Sequence, residues 1–396
     1  MKTCIEENMT VVYPEGRITS DNAAKFEQEL RQAMKDASGQ LIVDAQNLSS
    51  ISSAGLRALL VAAKNSDRKL TVRNVSPEVY EIFEITGFSL LLDVRRRMRS
   101  LSIEGCKKVG EGALGSVYQV AEDTIVKVFR TTDSMPVIQT ELDRSRQAFV
   151  KGLPTAIPFD IVQVGNQFGA VYEMLNAETL NDYLIRHPEQ TDEMIRKYVQ
   201  LLRQIHSSEA LPGELPSAVS QFLGYIDELK DIFPAEMAAR LKQLLQKMPE
   251  DLHMIHGDLQ MKNVMISGDD LLLIDMETLC TGNPVFDLQA VFMAYIPFNE
   301  DDPTNSDEFL GITAERCVDI WNRVLAEYFS GCSPERIQEL EDRIRVLGYI
   351  RFLDRIVTHG MTTPELKEIR VRHTLEHLET LLKRTDTLEL PTAAAE

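Results

Sequence analysis

Apolar and polar residues follow two different patterns along the chain. In residues 1–100, short segments with alternating apolar positions are interleaved with segments whose apolar positions recur at helical spacing. The predicted strands are 9–19, 41–44 and 70–75. The predicted helices are 21–35, 56–63 and one that begins at 77–83. Strands and helices that alternate in this way predict a compact α/β unit.

A basic cluster at 95–99, with four arginines, interrupts this pattern. We interpret it as a solvated boundary segment, or as an arm packed against the acidic remainder, rather than as a nucleic-acid contact. From Ser102 strands resume around a glycine-rich turn, and beyond Glu178 the pattern is mostly helical. Helices are predicted at 194–206, 235–247, 313–329 and 334–356.

The predicted fold class is therefore a two-domain α+β protein. A small α/β domain at 1–101 precedes a bilobal domain at 102–385, in which a sheet-rich lobe is followed by a helical lobe. A chain of 396 residues is longer than one hydrophobic core usually organises, which agrees with two domains. We expect the last segment, 386–396, to be a frayed tail.

Charge and composition restrict the possible partners. The net charge of −19 disfavours nucleic acid and anionic membranes, because both require a cationic surface. No apolar run approaches the ~20 residues of a membrane span, and the polar N-terminus lacks the apolar stretch of a signal peptide. The five cysteines are scattered without metal-like spacing. We therefore expect a cytoplasmic protein with reduced thiols.

Residues 110–117 have the pattern G-x-G-x-x-G-x-V of a phosphate-binding hairpin. Glycines let the backbone approach phosphate oxygens closely; the residues of the pattern are Gly110, Gly112, Gly115 and Val117. The next strand carries Lys127 within an apolar run, where it is placed to bind the α- and β-phosphates of ATP. Its predicted ion-pair partner on the following helix is Glu141, with Asp143 as the alternative.

The most specific signal is the segment 256–263, His-Gly-Asp-Leu-Gln-Met-Lys-Asn. Its Asp258 and Asn263 have the Asp-x₄-Asn spacing of a kinase catalytic loop, in which the aspartate orients the attacking hydroxyl and the asparagine binds Mg²⁺. Twelve residues later, Asp275 ends an apolar strand, where a second Mg²⁺ ligand is expected. Turn formation alone explains each residue but not the ordered set. We therefore predict phosphoryl transfer from ATP.

Residues 103–385 resemble the aminoglycoside phosphotransferase/choline kinase superfamily, and within it a bacterial branch. The resemblance is carried by His-Gly-Asp at 256–258, by Ile-Asp-Met-Glu at 274–277 and by 282–288. It implies a protein-kinase-like fold that transfers the γ-phosphate to a hydroxyl, with Asp287 in a structural role. It also places the interlobe hinge at 172–175, where the backbone of Glu173 and Met174 would bind adenine.

Residues 1–100 resemble a STAS domain, the fold of anti-sigma-factor antagonists. The resemblance is carried by 41–44, by Leu48 and by Ile-Ser-Ser-Ala-Gly-Leu-Arg at 51–57. It implies a protein partner and identifies Ser53 as the position that a separate kinase phosphorylates in regulatory members. Ser52 replaces their usual aspartate. The alternative role of Ser53 is to cap the following helix.

The phosphate acceptor is open. The acidic stretch 299–308 would attract a cationic acceptor, or it is a solvated surface loop. A small-molecule hydroxyl is the predicted acceptor. The alternatives are a protein kinase that acts on a regulatory partner, and a signalling protein that only senses nucleotide; intact Lys127, Asp258, Asn263 and Asp275 argue against the last.

Overall fold

The chain forms two compact units in the computed structural model, which describes residues 2–6, 9–36, 40–64, 70–111, 115–131, 135–175 and 177–391. The first unit comprises Met1–Ser102 with Val162–Gly165, and the second comprises Ile103–Ile161 with Asn166–Glu396. Each unit has its own hydrophobic core.

The first unit is a mixed sheet flanked by helices. Its strands are β1 (Lys2–Glu6), β2 (Met9–Tyr13), β3 (Glu15–Ile18), β4 (Gln40–Asp44), β5 (Asn47–Ile51), β6 (Thr71–Val75), β7 (Asp93–Arg96) and β8 (Arg99–Ser100). Its helices are α1 (Ala23–Asp36), α2 (Ser53–Lys64), α3 (Pro77–Ile85) and α4 (Phe88–Leu91). The main sheet has the order β1-β2-β4-β6-β7, antiparallel at β1–β2 and parallel elsewhere. Alternation of strand and helix thus produces the α/β unit expected from the sequence.

The basic cluster is mostly exposed and lies close to the end of the first unit at Ser102, which agrees with a solvated boundary segment, but part of it is also a strand. Its first two arginines belong to β7, the edge strand that pairs in parallel with β6. Charged side chains suit an edge strand because one side of it has no neighbour in the sheet and faces water. Arg95 lies largely in solvent and pairs with Asp93 at 2.8 Å. The run of arginines thus belongs partly to the folded sheet and ends three residues before the last residue of the first unit, Ser102.

The serine that caps α2 is Ser52. Its Oγ accepts a hydrogen bond from the N–H of Gly55 at 3.3 Å, and its carbonyl accepts the first helical bond, from the N–H of Leu56. Ser53 is the first residue of the helix and is exposed. The capping role that we considered for Ser53 is thus performed by its neighbour, and the Ser53 hydroxyl lies at the surface.

The chain beyond Ser102 has a strand-rich part followed by a helical part. Its strands are β9 (Lys107–Glu111), β10 (Gly115–Ala121), β11 (Thr124–Phe129), β12 (Pro158–Val164), β13 (Gln167–Glu173), β14 (Glu178–Thr179), β15 (Met254–Ile255), β16 (Val264–Ser267), β17 (Asp270–Leu273) and β18 (Cys280–Thr281). Its helices are α5 (Met135–Val150), α6 (Leu180–Arg186), α7 (Thr191–His206), α8 (Ala218–Glu228), α9 (Ala235–Gln246), α10 (Val285–Tyr295), α11 (Pro297–Glu300), α12 (Asn305–Phe309), α13 (Ala314–Tyr328), α14 (Pro334–Val357) and α15 (Pro364–Leu382). Three 3₁₀ turns lie at Pro188–Gln190, Met261–Asn263 and Met276–Thr278.

Helices α10 and α14 form the centre of the helical part. Gly348 lets them approach closely, because a Cβ added there would lie 2.3 Å from Cδ1 of Phe292. Most residues of α10 are buried, which explains why its sequence is apolar on every side. None of the helices in the described ranges combines the length and apolar composition that a bilayer span requires.

The segment after α15 differs from the frayed tail that we expected. Leu388 and Leu390 are buried, and the backbone of Leu390 makes two hydrogen bonds with the Asn283 side chain, at 3.0 and 3.1 Å. Alternating leucines supply the apolar contact that holds this segment, whereas residues 392–396 lie outside the described part of the chain.

Two serine variants test the assignment of the cap. Ser52→Ala should lower the opening free energy of α2 by about 1 kcal/mol, because the N–H of Gly55 loses its acceptor. Ser53→Ala should change it by less than about 0.5 kcal/mol, as expected for an exposed position. Hydrogen exchange of the α2 amides in the intact chain measures both. A larger loss from Ser53→Ala would place the cap at Ser53.

Candidate active site

Lys127 lies in a buried ion-pair network on β11, which pairs with β10 on one side and β13 on the other. It projects from β11, and its Nζ donates to both carboxylate oxygens of Glu141 on α5, at 3.0 and 3.1 Å. The Tyr172 hydroxyl on β13 donates to the same carboxylate at 3.0 Å. Asp143, the alternative partner, instead accepts hydrogen bonds from Gln139. The structure therefore brings Lys127 together with Glu141.

The charge of Lys127 is stabilised by these contacts. Burial alone would lower its pKa, but the carboxylates of Asp275 and Glu141 outweigh burial, and the pKa is raised. Burial, reinforced by Glu141, also raises the pKa of the Tyr172 hydroxyl, which remains a hydrogen-bond donor. The lysine is thus a permanent cation at neutral pH, as binding to phosphate requires.

The glycine-rich segment forms a hairpin beside Lys127. Strands β9 and β10 pair with Gly110 opposite Val117, and Val117 is in turn opposite Lys127 on β11. Gly115 allows β10 to pass close to β11, because a Cβ there would lie 2.1 Å from the carbonyl oxygen of Val128. Gly112 falls outside the described residues. The hairpin and the lysine therefore occupy neighbouring strands of one sheet.

Asp258 and Asn263 face each other across one turn. Asp258 follows β15, and Asn263 ends the 3₁₀ turn Met261–Asn263. The Nδ2 of Asn263 donates to the Asp258 carbonyl at 2.8 Å and to its Oδ2 at 3.1 Å. The side chain of Asp258 is 30% exposed, so the carboxylate remains open to an incoming molecule.

The buried carboxylate of Asp287 holds the start of this loop. It lies in the first turn of α10 and accepts hydrogen bonds from the backbone N–H groups of His256, at 3.1 Å, and Gly257, at 2.7 Å. His206 Nε2 donates to it at 3.1 Å. Burial opposes ionisation of Asp287, but these donors and the His206 ring outweigh burial and lower its pKa. The structural role implied by the family resemblance thus has a physical basis.

Gly257 is the position at which this loop requires glycine. Its φ is +82°, and a Cβ would lie 2.6 Å from the carbonyl oxygen of Thr278. The neighbouring His256 ring also fixes the loop, since its Nε2 donates to the Ile274 carbonyl at 3.0 Å and its Nδ1 accepts from the N–H of Asp258. These bonds join the Asp258 loop to the strand end that carries Asp275.

Asp275 lies two residues after the end of β17, beside Lys127. Its Oδ1 accepts a hydrogen bond from Lys127 Nζ at 2.8 Å, while its side chain is 45% exposed. The backbone has φ +58°, a left-handed conformation that is uncommon outside glycine and is often found at functional positions. Burial raises the pKa of the nearby Glu277, and repulsion from the charges of Glu141 and Asp275 also raises it. The carboxylates of Glu141 and Asp275 therefore both lie at the Nζ atom of Lys127.

Two features of the site were not indicated by the sequence. Arg351 on α14 donates through Nη2 to Asp258 Oδ1 at 2.8 Å and through Nη1 to the Gly257 carbonyl. No local motif surrounds Arg351, and it lies 93 residues from Asp258. Tyr172 precedes the predicted hinge, but only the structure shows that its hydroxyl meets Glu141.

The hinge provides fewer free donors than the sequence suggests. The N–H of Glu173 donates to the Ile157 carbonyl at 3.0 Å, and the N–H of Met174 donates to the Asp123 carbonyl at 2.8 Å. Both donors are engaged within the protein. An adenine bound at this segment therefore needs backbone groups other than these two N–H donors.

The acidic stretch 299–308 is partly internal rather than a simple surface loop. Glu300 accepts a hydrogen bond from the Tyr349 hydroxyl at 2.7 Å, and Asp301 pairs with His373 at 2.5 Å. Asp307 and Glu308 remain exposed on α12. Only part of the stretch is thus free to attract a cationic molecule.

Residues 105–317, more than half of the chain, match the sequence profile of the phosphotransferase enzyme family. The chain belongs to this family. It is therefore a phosphotransferase, and Lys127, Asp258, Asn263 and Asp275 all lie within the matched residues.

The solved structures that match the chain have low sequence identity to it. Aminoglycoside phosphotransferase APH(2'')-Ib, bound to ADP, is 15% identical, with a TM-score of 0.48 over 76% of this chain and 98% of that one. A choline/ethanolamine kinase family protein from Mesorhizobium loti is 12% identical, with a TM-score of 0.47 over 70% of this chain and 88% of that one. Family membership rests on the sequence match.

Residues 2–93, which lie in the first unit, match the profile described as Mlab, STAS domain. The first unit is therefore a STAS domain. The candidate anti-sigma factor antagonist BtrV of Bordetella bronchiseptica is 33% identical over 91 residues, which span 22% of this chain and 78% of BtrV. The resemblance drawn from residues 41–57 is thereby confirmed.

Removing the charge of Asp287 tests its hold on the Asp258 loop. Asp287→Asn should lower the free energy of unfolding by about 3 kcal/mol, because an amide cannot accept from all three donors. Its lowered pKa means that this contribution is present above the unfolded pKa of about 3.9 and is lost as pH falls through the lower folded value. Urea denaturation at neutral and acidic pH measures the difference.

The control is Asp269→Asn, since the Asp269 side chain is fully exposed. It should change the free energy of unfolding by less than about 0.5 kcal/mol. Equal effects of the two variants would show that Asp287 does not support the loop.

Proposed function

We propose that the second unit transfers the γ-phosphoryl group of ATP, with Mg²⁺, to a hydroxyl of a small molecule. The observation that carries this proposal is the convergence of the predicted groups. Lys127 contacts Glu141 and Asp275, and Asn263 contacts Asp258, although these residues come from separate parts of the chain. Positioning and charge neutralisation supply most of the catalysis in phosphoryl transfer, so this small set suffices.

The proposed step assigns one role to each side chain. The acceptor oxygen forms a bond to the γ-phosphorus while the bond from that phosphorus to the β–γ bridging oxygen breaks, and its electron pair leaves with ADP. The hydroxyl proton passes to the carboxylate of Asp258, which also orients the acceptor. Lys127 binds the α- and β-phosphates and is held in place by Glu141.

The side chains that remain fit a magnesium ion. Because Asn263 directs Nδ2 to Asp258, its Oδ1 is left as a potential ligand, and Asp275 supplies a half-exposed carboxylate. Mg²⁺ prefers one or two such oxygen ligands together with phosphate oxygens and water. Among the described residues there is no cluster of three or more His, Cys, Asp or Glu suited to a metal. When bound, Mg²⁺ neutralises charge on the phosphates.

Variants of the two aspartates separate their roles. Asp258→Asn should reduce phosphoryl transfer by about 10²- to 10⁴-fold, as for loss of a general base, and leave Mg·ATP affinity nearly unchanged. Asp275→Ala should instead weaken Mg²⁺-dependent ATP binding, because a metal ligand is lost. ADP release, with aminoglycosides, choline and sugars as trial acceptors, and calorimetry measure these effects. Turnover of Asp258→Asn within about tenfold of wild type contradicts the role of Asp258.

We further propose that Ser53 of the STAS domain carries a regulatory phosphate that controls a protein partner. The hydroxyl is exposed at the first position of α2, while Ser52 performs the capping. A phosphate there meets the positive end of the helix dipole, which favours an anion. It also adds a charge of about −2 to the surface, enough to repel an acidic partner.

Phosphate mapping tests this proposal. Mass spectrometry of the full-length protein, isolated from its own cells and also incubated with labelled Mg·ATP, should find phosphate at Ser53 and not at Ser52. Label that appears on incubation and disappears in the Asp258→Asn variant would assign the modification to the chain's own active site. Absence of phosphate at Ser53 from both samples would contradict the proposal.

A further inference from the structure

The guanidinium of Arg351 bridges two neighbouring groups of the Asp258 loop. Nη2 donates to Asp258 Oδ1 at 2.8 Å, and Nη1 donates to the carbonyl of Gly257. The Arg351 side chain is only 3% exposed, so it is packed against the loop and does not extend into solvent. One side chain thus fixes both the backbone and the carboxylate at this point.

We propose that Arg351 is a positioning residue for phosphoryl transfer, which holds the Asp258 carboxylate in the orientation that receives the acceptor hydroxyl. This inference rests on the proposed function of Asp258. Arg351 binds Oδ1 and Asn263 Nδ2 binds Oδ2, so the plane of the carboxylate is set by one donor on each oxygen. Each oxygen of a carboxylate has two lone pairs, and one on each remains for the acceptor.

A purely structural role explains the arginine less well. An apolar residue would fill a buried position on α14 at lower cost, because burial of a charge is expensive even when it is paired. The Nε of Arg351 has no hydrogen-bond partner among the described residues, so the hydrogen bonds of this guanidinium are those of its two Nη groups. Both of its paired N–H groups are directed at the loop that carries Asp258.

Two helices fix opposite sides of this loop. Asp287 on α10 accepts the N–H groups of His256 and Gly257, while Arg351 on α14 donates to the Gly257 carbonyl and the Asp258 carboxylate. Gly348 permits the close approach of α14 to α10 one turn before Arg351. The packing of α14 against α10 thereby fixes the orientation of the Asp258 carboxylate.

Arginine is suited to this bridge in a way that lysine is not. The planar guanidinium presents N–H groups in a rigid fork and can reach two acceptors at once, whereas an ammonium acts as a point charge on a flexible stem. Arg351→Lys therefore keeps the charge but loses the fixed geometry. We expect kcat to fall by about 10- to 100-fold, with the KM for ATP within about twofold of wild type.

The experiment measures ADP release from Mg·ATP by the full-length protein, with water as the acceptor, for wild type, Arg351→Lys, Asp258→Asn and the double variant. If Arg351 acts through Asp258, adding Arg351→Lys to the Asp258→Asn variant should change its kcat by less than about twofold. Arg345→Lys is the matched control, because Arg345 lies on the same helix but pairs with Glu341. It should leave kcat within about twofold of wild type.

The outcomes separate the two proposals. Equal ADP release by wild type and Asp258→Asn would overturn the role of Asp258 itself. If Asp258→Asn is impaired, wild-type kcat in Arg351→Lys would overturn only the inference for Arg351. The inference also fails if Arg351→Lys lowers kcat by the same factor in both backgrounds, or if Arg345→Lys has the same effect.

Discussion

The candidate active site depends on the burial of one carboxylate. Asp287 has no exposed surface, and a buried charge is tolerated only when it is fully paired. Two of its three partners are backbone N–H groups of the loop that carries Asp258, so the charge is satisfied only when that loop has this conformation. The cost of burying Asp287 unpaired therefore makes the loop geometry a condition of folding. Arg351 and Gly257 complete a loop that is already restrained.

Much of the site could be predicted because its chemistry is encoded in short contiguous segments. The Asp-x₄-Asn spacing forms a single turn, which brings Asn263 to Asp258 without help from distant residues. Lys127 is identifiable because a lysine within an apolar strand requires a partner. Its pairing with Glu141 follows from the next helix in the chain. Strand and helix patterns predicted the α/β character of the STAS domain for the same reason, since each depends on local periodicity.

The features that escaped prediction depend on contacts between distant or equivalent residues. Arg351 is one of several arginines on α14, and only the packing of that helix against α10 selects it. Ser52 and Ser53 are chemically identical, so the choice of cap depends on where the helix begins. The sequence pattern did not predict β7 because two arginines end it, yet an edge strand has an open side that accommodates charge. The backbone at Leu390 is held by the side-chain amide of Asn283, which lies more than a hundred residues earlier in the chain.

The contact between Lys127 and Asp275 indicates how the site is prepared for nucleotide. Lys127 and Asp275 pair with each other at 2.8 Å, so neither charge is left unpaired in a partly buried place. Phosphate oxygens would offer the lysine a new anion, and a metal ion would offer the carboxylate a new cation. In the proposed reaction, one ion pair is exchanged for two of similar kind, so a charged nucleotide would enter with little change in the local charge balance. Glu141 binds Nζ through both of its carboxylate oxygens, so the position of Nζ does not depend on Asp275 alone.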